Sequence, residues 1–134
     1  MKSIHLIAPS GASLDNKSPL AGIDWLERQG IAVKNTDCVN RVYERFAGSD
    51  DERLAELNGL AKLNAQSLVM AMRGGYGLHR LLPGIEWSAI AKAIQNGLQV
   101  CGHSDFTVLQ LGLLAKTGAI TLAGPMLNYD FGRL

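Results

Sequence analysis

Short apolar runs alternate along this chain with segments of helical period, and most of the runs break at glycine. That alternation is the pattern of βαβ units, in which helices cross over between parallel strands. Ser3 to Ala8 reads as a first strand, ending in the loop Pro9-Ser10-Gly11. Ser18 is expected to cap a helix with Pro19 at its first position, Leu20, Ile23 and Leu26 on its buried face and Gly30 at its end. Ile31 to Val33 gives a short second strand. Ser49 and Glu52 have the spacing of a capping box, opening a helix with Leu54, Leu57 and Leu60 or Leu63 on one face. Ser67 to Met72 is apolar enough for a strand buried on both faces. A short helix over Leu78 to Leu82 and a longer one over Trp87 to Ile94 follow. Then come a strand over Leu98 to Cys101, a helix over Asp105 to Lys116 and a strand over Ala119 to Leu122. The last eight residues, LNYDFGRL, carry neither period, so the final strand is expected to lack a covering helix. The expected fold is α/β, a three-layer, mostly parallel sheet flanked by helices, Rossmann-like or flavodoxin-like.

At 134 residues this is one domain, spanning residues 1–134. Its net charge of +1, without a basic block, argues against a nucleic-acid or membrane-surface partner. The N-terminal apolar run is too short for a signal peptide or membrane span, which gives a cytoplasmic expectation. Cys38 and Cys101 make neither a disulfide framework nor a metal pair, and no metal site is expected.

Ligands of open α/β sheets bind beyond the carboxyl ends of the strands. Four loops fall there: Pro9-Ser10-Gly11, Arg73 to Gly77, Gly102 to Asp105 and Gly124 to Met126. The Arg73 to Gly77 loop lacks both the P-loop lysine and the spacing of a dinucleotide fingerprint, Arg80 standing at the last glycine position. It can turn a backbone N–H toward an oxyanion, or be only a tight turn. Ser104 follows a strand and precedes a helix, with Gly102 two residues before it, as in a nucleophile elbow. Phe106 stands where α/β-hydrolases carry glycine, which argues against that class. The tetrapeptide by itself favours a helix cap. None of the three histidines is well placed as a base. His103 adjoins Ser104, His79 faces outward and His5 lies inside a strand.

Five segments in register, IAPSG, RFAGSDDERLAELN, MRGGYGLHRLL, CGHSDFT and AGPM, resemble the LD-carboxypeptidases. The resemblance implies a cytoplasmic serine peptidase without cofactors, usually a homodimer. Its members remove the terminal D-alanine of murein tetrapeptide, L-Ala-γ-D-Glu-meso-diaminopimelate-D-Ala, during peptidoglycan recycling. It makes Ser104 the nucleophile and the backbone N–H groups of Asp105 and of Gly75, with Gly74 beside it, the oxyanion donors. Ser10, Arg73, Tyr76 and Gly124 become candidate substrate contacts. The family's glutamate and histidine have no counterpart here. The resemblance thus implies an N-terminal domain without its C-terminal partner and with little activity alone. Two alternatives remain: a self-immunity hydrolase of the same family acting on microcin-type peptidyl-adenylates, and a non-catalytic α/β module binding an anion or peptide.

Overall fold

A computed structural model describes residues 3–134. Five parallel strands form one sheet in the order β2-β1-β3-β4-β5, with β1 at Ser3–Ile7, β2 at Ala32–Lys34, β3 at Ser67–Ala71, β4 at Gln99–Gly102 and β5 at Leu122–Ala123. This is the flavodoxin-like strand order, and its switch point lies between β1 and β3. The four longer helices are α1 at Lys17–Arg28, α2 at Asp50–Asn58, α3 at Trp87–Gln95 and α4 at Thr107–Thr117.

Alternation along the central strands sorts side chains into two apolar layers. Ile4 and Leu6 of β1 and Met70 of β3 pack with Ile23 and Leu26 of α1. Ile7, Val69 and Ala71 face Leu57 of α2, Ile90 of α3 and Leu109 and Leu113 of α4. Fully burying each leucine is worth about 1.5–3 kcal/mol. The α/β architecture matches the expectation; several local details do not.

Helix α1 starts at Lys17, whose N–H donates to Asp15 Oδ1, so Pro19 is its third residue rather than its first and Ser18 is not the cap. Proline is tolerated there because the first-turn N–H groups have no intrahelical acceptor. The buried stripe runs through Pro19, Gly22, Ile23 and Leu26, and Leu20 is turned out to solvent. Strands β2 and β4 each lie one residue later than expected. Strand β5 is displaced further. Gly118 ends α4 in a left-handed conformation and Thr117 Oγ1 accepts from the Ala119 N–H, which buries Ala119 and delays the strand to Leu122. The terminal segment is ordered against the domain as a single wide helical turn over Leu127–Phe131. It covers α1, with Leu127 seated on Gly22 and the Phe131 ring 5.6 Å from that of Trp25.

Candidate active site

Strand β4 ends at Gly102, and the chain then turns sharply through His103 into a short 3-10 helix over Ser104–Phe106 that leads into α4. A Cβ on Gly102 would lie 2.5 Å from Phe106 Cδ2, so the absence of a side chain lets the phenyl ring fold under the turn into the core. This accounts for Phe106 at a position where the hydrolase elbow has glycine: the residue is an internal prop. The Gly102 carbonyl accepts from the Gly124 N–H and from Gln110 Nε2, which fixes the strand end against β5.

Ser104 sits on this turn with φ at +59°, in the left-handed region that costs a non-glycine residue about 1–2 kcal/mol. Its side chain caps nothing; the residue before the helical turn is His103, in extended conformation and also without a capping bond. The expectation that Ser104 also caps its helix is thereby corrected, because an N-cap needs an extended backbone to turn its hydroxyl back on the helix. Ser104 is instead exposed at the rim of the sheet.

The glycine loop lies directly against it. A Cβ on Gly74 would stand 2.8 Å from Ser104 Oγ and 3.4 Å from the Asp105 nitrogen. Gly75 has φ at +92°, and its N–H finds no acceptor among the described residues. The Asp105 N–H lies in the first turn of a helix, where donors have no intrahelical partner. Ser104 and the donor-bearing Asp105, Gly74 and Gly75 are thus brought together.

The other candidate contacts have different surroundings. Ser10 is sealed at 1% exposure, and its Oγ donates to Asp105 Oδ2 at 2.6 Å instead of facing open space. Arg73 Nη1 donates to the Ala12 carbonyl at 2.6 Å and its guanidinium lies under Gly75, bracing the loop from behind. Tyr76 is half-exposed, 6.1 Å from the Phe46 ring. Gly124 lines an open cleft of about 360 Å³ with His103, Ala123, Pro125 and Asp130, next to the serine turn.

None of the histidines reaches the serine. His103 Nε2 lies 3.6 Å from Asp130 Oδ2, His79 is exposed on the outer side, and His5 belongs to the body of β1. Burial holds the His5 pKa below the ordinary value, with Glu56 opposing and Lys34 adding to the effect. Burial likewise pushes the Cys101 thiol up and the Cys38 thiol to about 12, which makes both poor nucleophiles at neutral pH. Among the described residues no three His, Cys, Asp or Glu side chains gather closely enough to hold a metal ion. No described helix is long and apolar enough to cross a membrane.

Two residues that organise the site escaped the sequence reading. Arg53 is fully buried and donates to the carbonyls of Gly48, Pro9 and Gly77 and to Asp50 Oδ1. It shares a helical stripe with Leu57 and Leu60, at positions i, i+4 and i+7, and a charge on that stripe was the available signal. The Asp105 carboxylate is the second, because its partners Ser10 and Leu78 lie on other loops that no local pattern links to it.

A parallel α/β sheet that presents a strained serine opposite a glycine loop has the frame of a hydrolase nucleophile elbow. Residues 4–124 match the LD-carboxypeptidase N-terminal domain, and the chain belongs to this peptidase family. It is 33% identical over 130 residues to a probable murein peptide carboxypeptidase of Bacillus subtilis, covering 97% of this chain and 40% of that one. It is 32% identical over 125 residues to the microcin C7 self-immunity protein MccF of Escherichia coli, covering 93% of this chain and 35% of the other. The crystal structure of a muramoyltetrapeptide carboxypeptidase from Oxalobacter formigenes superimposes with a TM-score of 0.81 at 36% identity, over 98% of this chain and 42% of that one. The chain therefore spans about two-fifths of the length of these relatives.

Proposed function

We propose that this domain carries the nucleophile and oxyanion donors of a serine-type LD-carboxypeptidase. The enzyme would release the terminal D-alanine of murein tetrapeptide during peptidoglycan recycling in the cytoplasm, as a homodimer of the full-length protein. The observation that carries this proposal is Ser104 itself, exposed, strained and uncapped at the end of β4 with the glycine loop against its hydroxyl. Ser104 Oγ attacks the carbonyl between diaminopimelate and D-alanine while a general base takes its proton. The oxyanion accepts from the Asp105 and Gly75 N–H groups, each worth about 3–4 kcal/mol of barrier. Collapse of the tetrahedral intermediate breaks the C–N bond, D-alanine leaves as its amine after protonation, and water hydrolyses the acyl-enzyme. We assign the base to the part of the relatives that this chain does not match, because no described histidine lies against Ser104.

The test is turnover of murein tetrapeptide by the complete protein, with and without Ser104→Ala, alongside fluorophosphonate labelling. Wild type is expected to turn over and label at Ser104, and the variant to bind without turnover. Wild-type-like turnover by Ser104→Ala would rule out the nucleophile. Preference for an aminoacyl-sulfamoyl adenylate over the tetrapeptide would move the domain to the self-immunity branch. Reversible binding without labelling would make it a binding module.

A further inference from the structure

The Asp105 side chain does more than follow the serine. Its Oδ2 accepts from Ser10 Oγ at 2.6 Å and from the Leu78 N–H at 3.1 Å. Ser10 is buried on the loop after β1, and its carbonyl accepts from the Ala47 N–H. Leu78 opens the 3-10 helix that leaves the glycine loop, and it is also fully buried. One carboxylate oxygen therefore ties the turn after β4 to the loops after β1 and β3. Both donors belong to buried residues, so the tie is an internal constraint and not a surface contact. Its backbone half is the N–H beside Ser104, which lies 3.4 Å from a Cβ position on Gly74.

We propose that Asp105 is a positioning residue: its carboxylate, held by Ser10 and Leu78, sets the distance and angle between its own N–H and the Gly75 N–H across the site. This rests on the serine-peptidase function proposed above. A bare negative charge beside a developing oxyanion would oppose catalysis. The side chain contributes by geometry, since both of its bonds join it to neighbouring loops and neither to Ser104. Ser10 acts through Asp105, which explains why a hydroxyl near the site is buried instead of open to substrate.

Steady-state kinetics of the complete protein with Asp105→Ala, Asp105→Asn and Ser10→Ala test this. Asp105→Ala is expected to lower kcat about 100-fold with KM within about twofold, the effect of misplacing one oxyanion donor. Asp105→Asn still offers an oxygen to Leu78 and a partner to Ser10, so it is expected to retain at least a tenth of kcat. Ser10→Ala is expected to fall between wild type and Asp105→Ala. Wild-type kcat in Asp105→Ala, or Asp105→Asn faster than wild type, would overturn the proposal, the latter by showing that charge outweighs position. If Asp105→Ala does not fold, the Asn and Ser10 variants decide alone, and full kcat in Ser10→Ala overturns it. Fluorophosphonate labelling run in parallel separates the two proposals. Ser104 labelled in wild type with kcat unchanged in every Asp105 and Ser10 variant removes only the positioning role, whereas absent labelling of wild type removes the nucleophile.

Discussion

Arg53 offers the largest stability effect the structure predicts. Its guanidinium is fully buried and makes four hydrogen bonds, three of them to carbonyls, at 3.1 Å to Gly48 before α2 and, in two of the site loops, at 2.8 Å to Pro9 and 3.0 Å to Gly77. The fourth joins it to Asp50, which is partly solvent-exposed and also pairs with Arg80. The Phe46 ring covers the guanidinium at 4.6 Å. Net contributions of about 1.5–3 kcal/mol per charge-assisted bond are not additive, and removing one member of a buried polar cluster costs about 3–5 kcal/mol. Arg53→Met fills much of the volume without donors and is expected to cost about 4 kcal/mol. Arg53→Ala adds a cavity and costs about 1 kcal/mol more. Arg53→Lys keeps the charge but not the fork, so it reaches fewer carbonyls and costs about 2 kcal/mol.

Domains of this size are stable by about 5–15 kcal/mol, so the Met variant removes a large share. At about 4 °C per kcal/mol its melting temperature falls by about 15 °C. Urea titration followed by circular dichroism measures the difference directly, with an unchanged slope confirming that stability alone has moved. A Met variant within 1 kcal/mol of wild type would refute the reasoning, since it would mean that the three carbonyls find water as readily as they find Arg53.

Three further outcomes are expected. Gly74→Ala places a methyl 2.8 Å from Ser104 Oγ and 2.9 Å from its Cβ, so it should reduce fluorophosphonate labelling of the complete protein at least tenfold. Ser104→Gly should be more stable than Ser104→Ala by about 1 kcal/mol in matched urea titrations, because only glycine is at ease at a φ of +59°. His5 has a folded-state pKa below its unfolded value, so the unfolded chain binds the extra proton first. Stability should fall as pH drops below about 6.5 and level off below the folded pKa, and His5→Asn should flatten that part of a melting-temperature profile.

The order of strands and helices was legible because it depends on local pattern. The Ser49–Glu52 capping box forms in both directions, and β3 and α3 lie within a residue of their expected ends. Glycines at 74 and 102 were legible as markers of close approach, but what approaches them was not. The ring under Gly102 comes from Phe106, a residue that local pattern marks only as a departure from the hydrolase elbow. The ties that shape the site join residues far apart in the chain, 95 positions for Ser10 and Asp105 and 44 for Arg53 and Pro9. No periodicity encodes such pairs. Strand β5 starts later than its apolar run because an αL glycine and a threonine hydroxyl hold the residues just after α4, and the terminal turn has no periodic pattern to announce it.

The strain at Ser104 speaks against a capping role. A capping serine lowers the energy of its own helix and needs an extended backbone to do so. Here the same residue raises the local energy, makes no capping bond and is held in place by its neighbours. Those neighbours are specific: Phe106 wedged under Gly102, Gly74 pressed against the hydroxyl, and the Asp105 carboxylate tied to two other loops. Each would be unnecessary for a helix start, and together they hold one hydroxyl in an exposed position that the backbone would otherwise abandon. A left-handed residue persists only where its surroundings over-determine it. At Ser104 the close approach of Gly74 and of the Phe106 turn supplies such surroundings, and the proposed nucleophile with its oxyanion donor needs that placement where a cap does not.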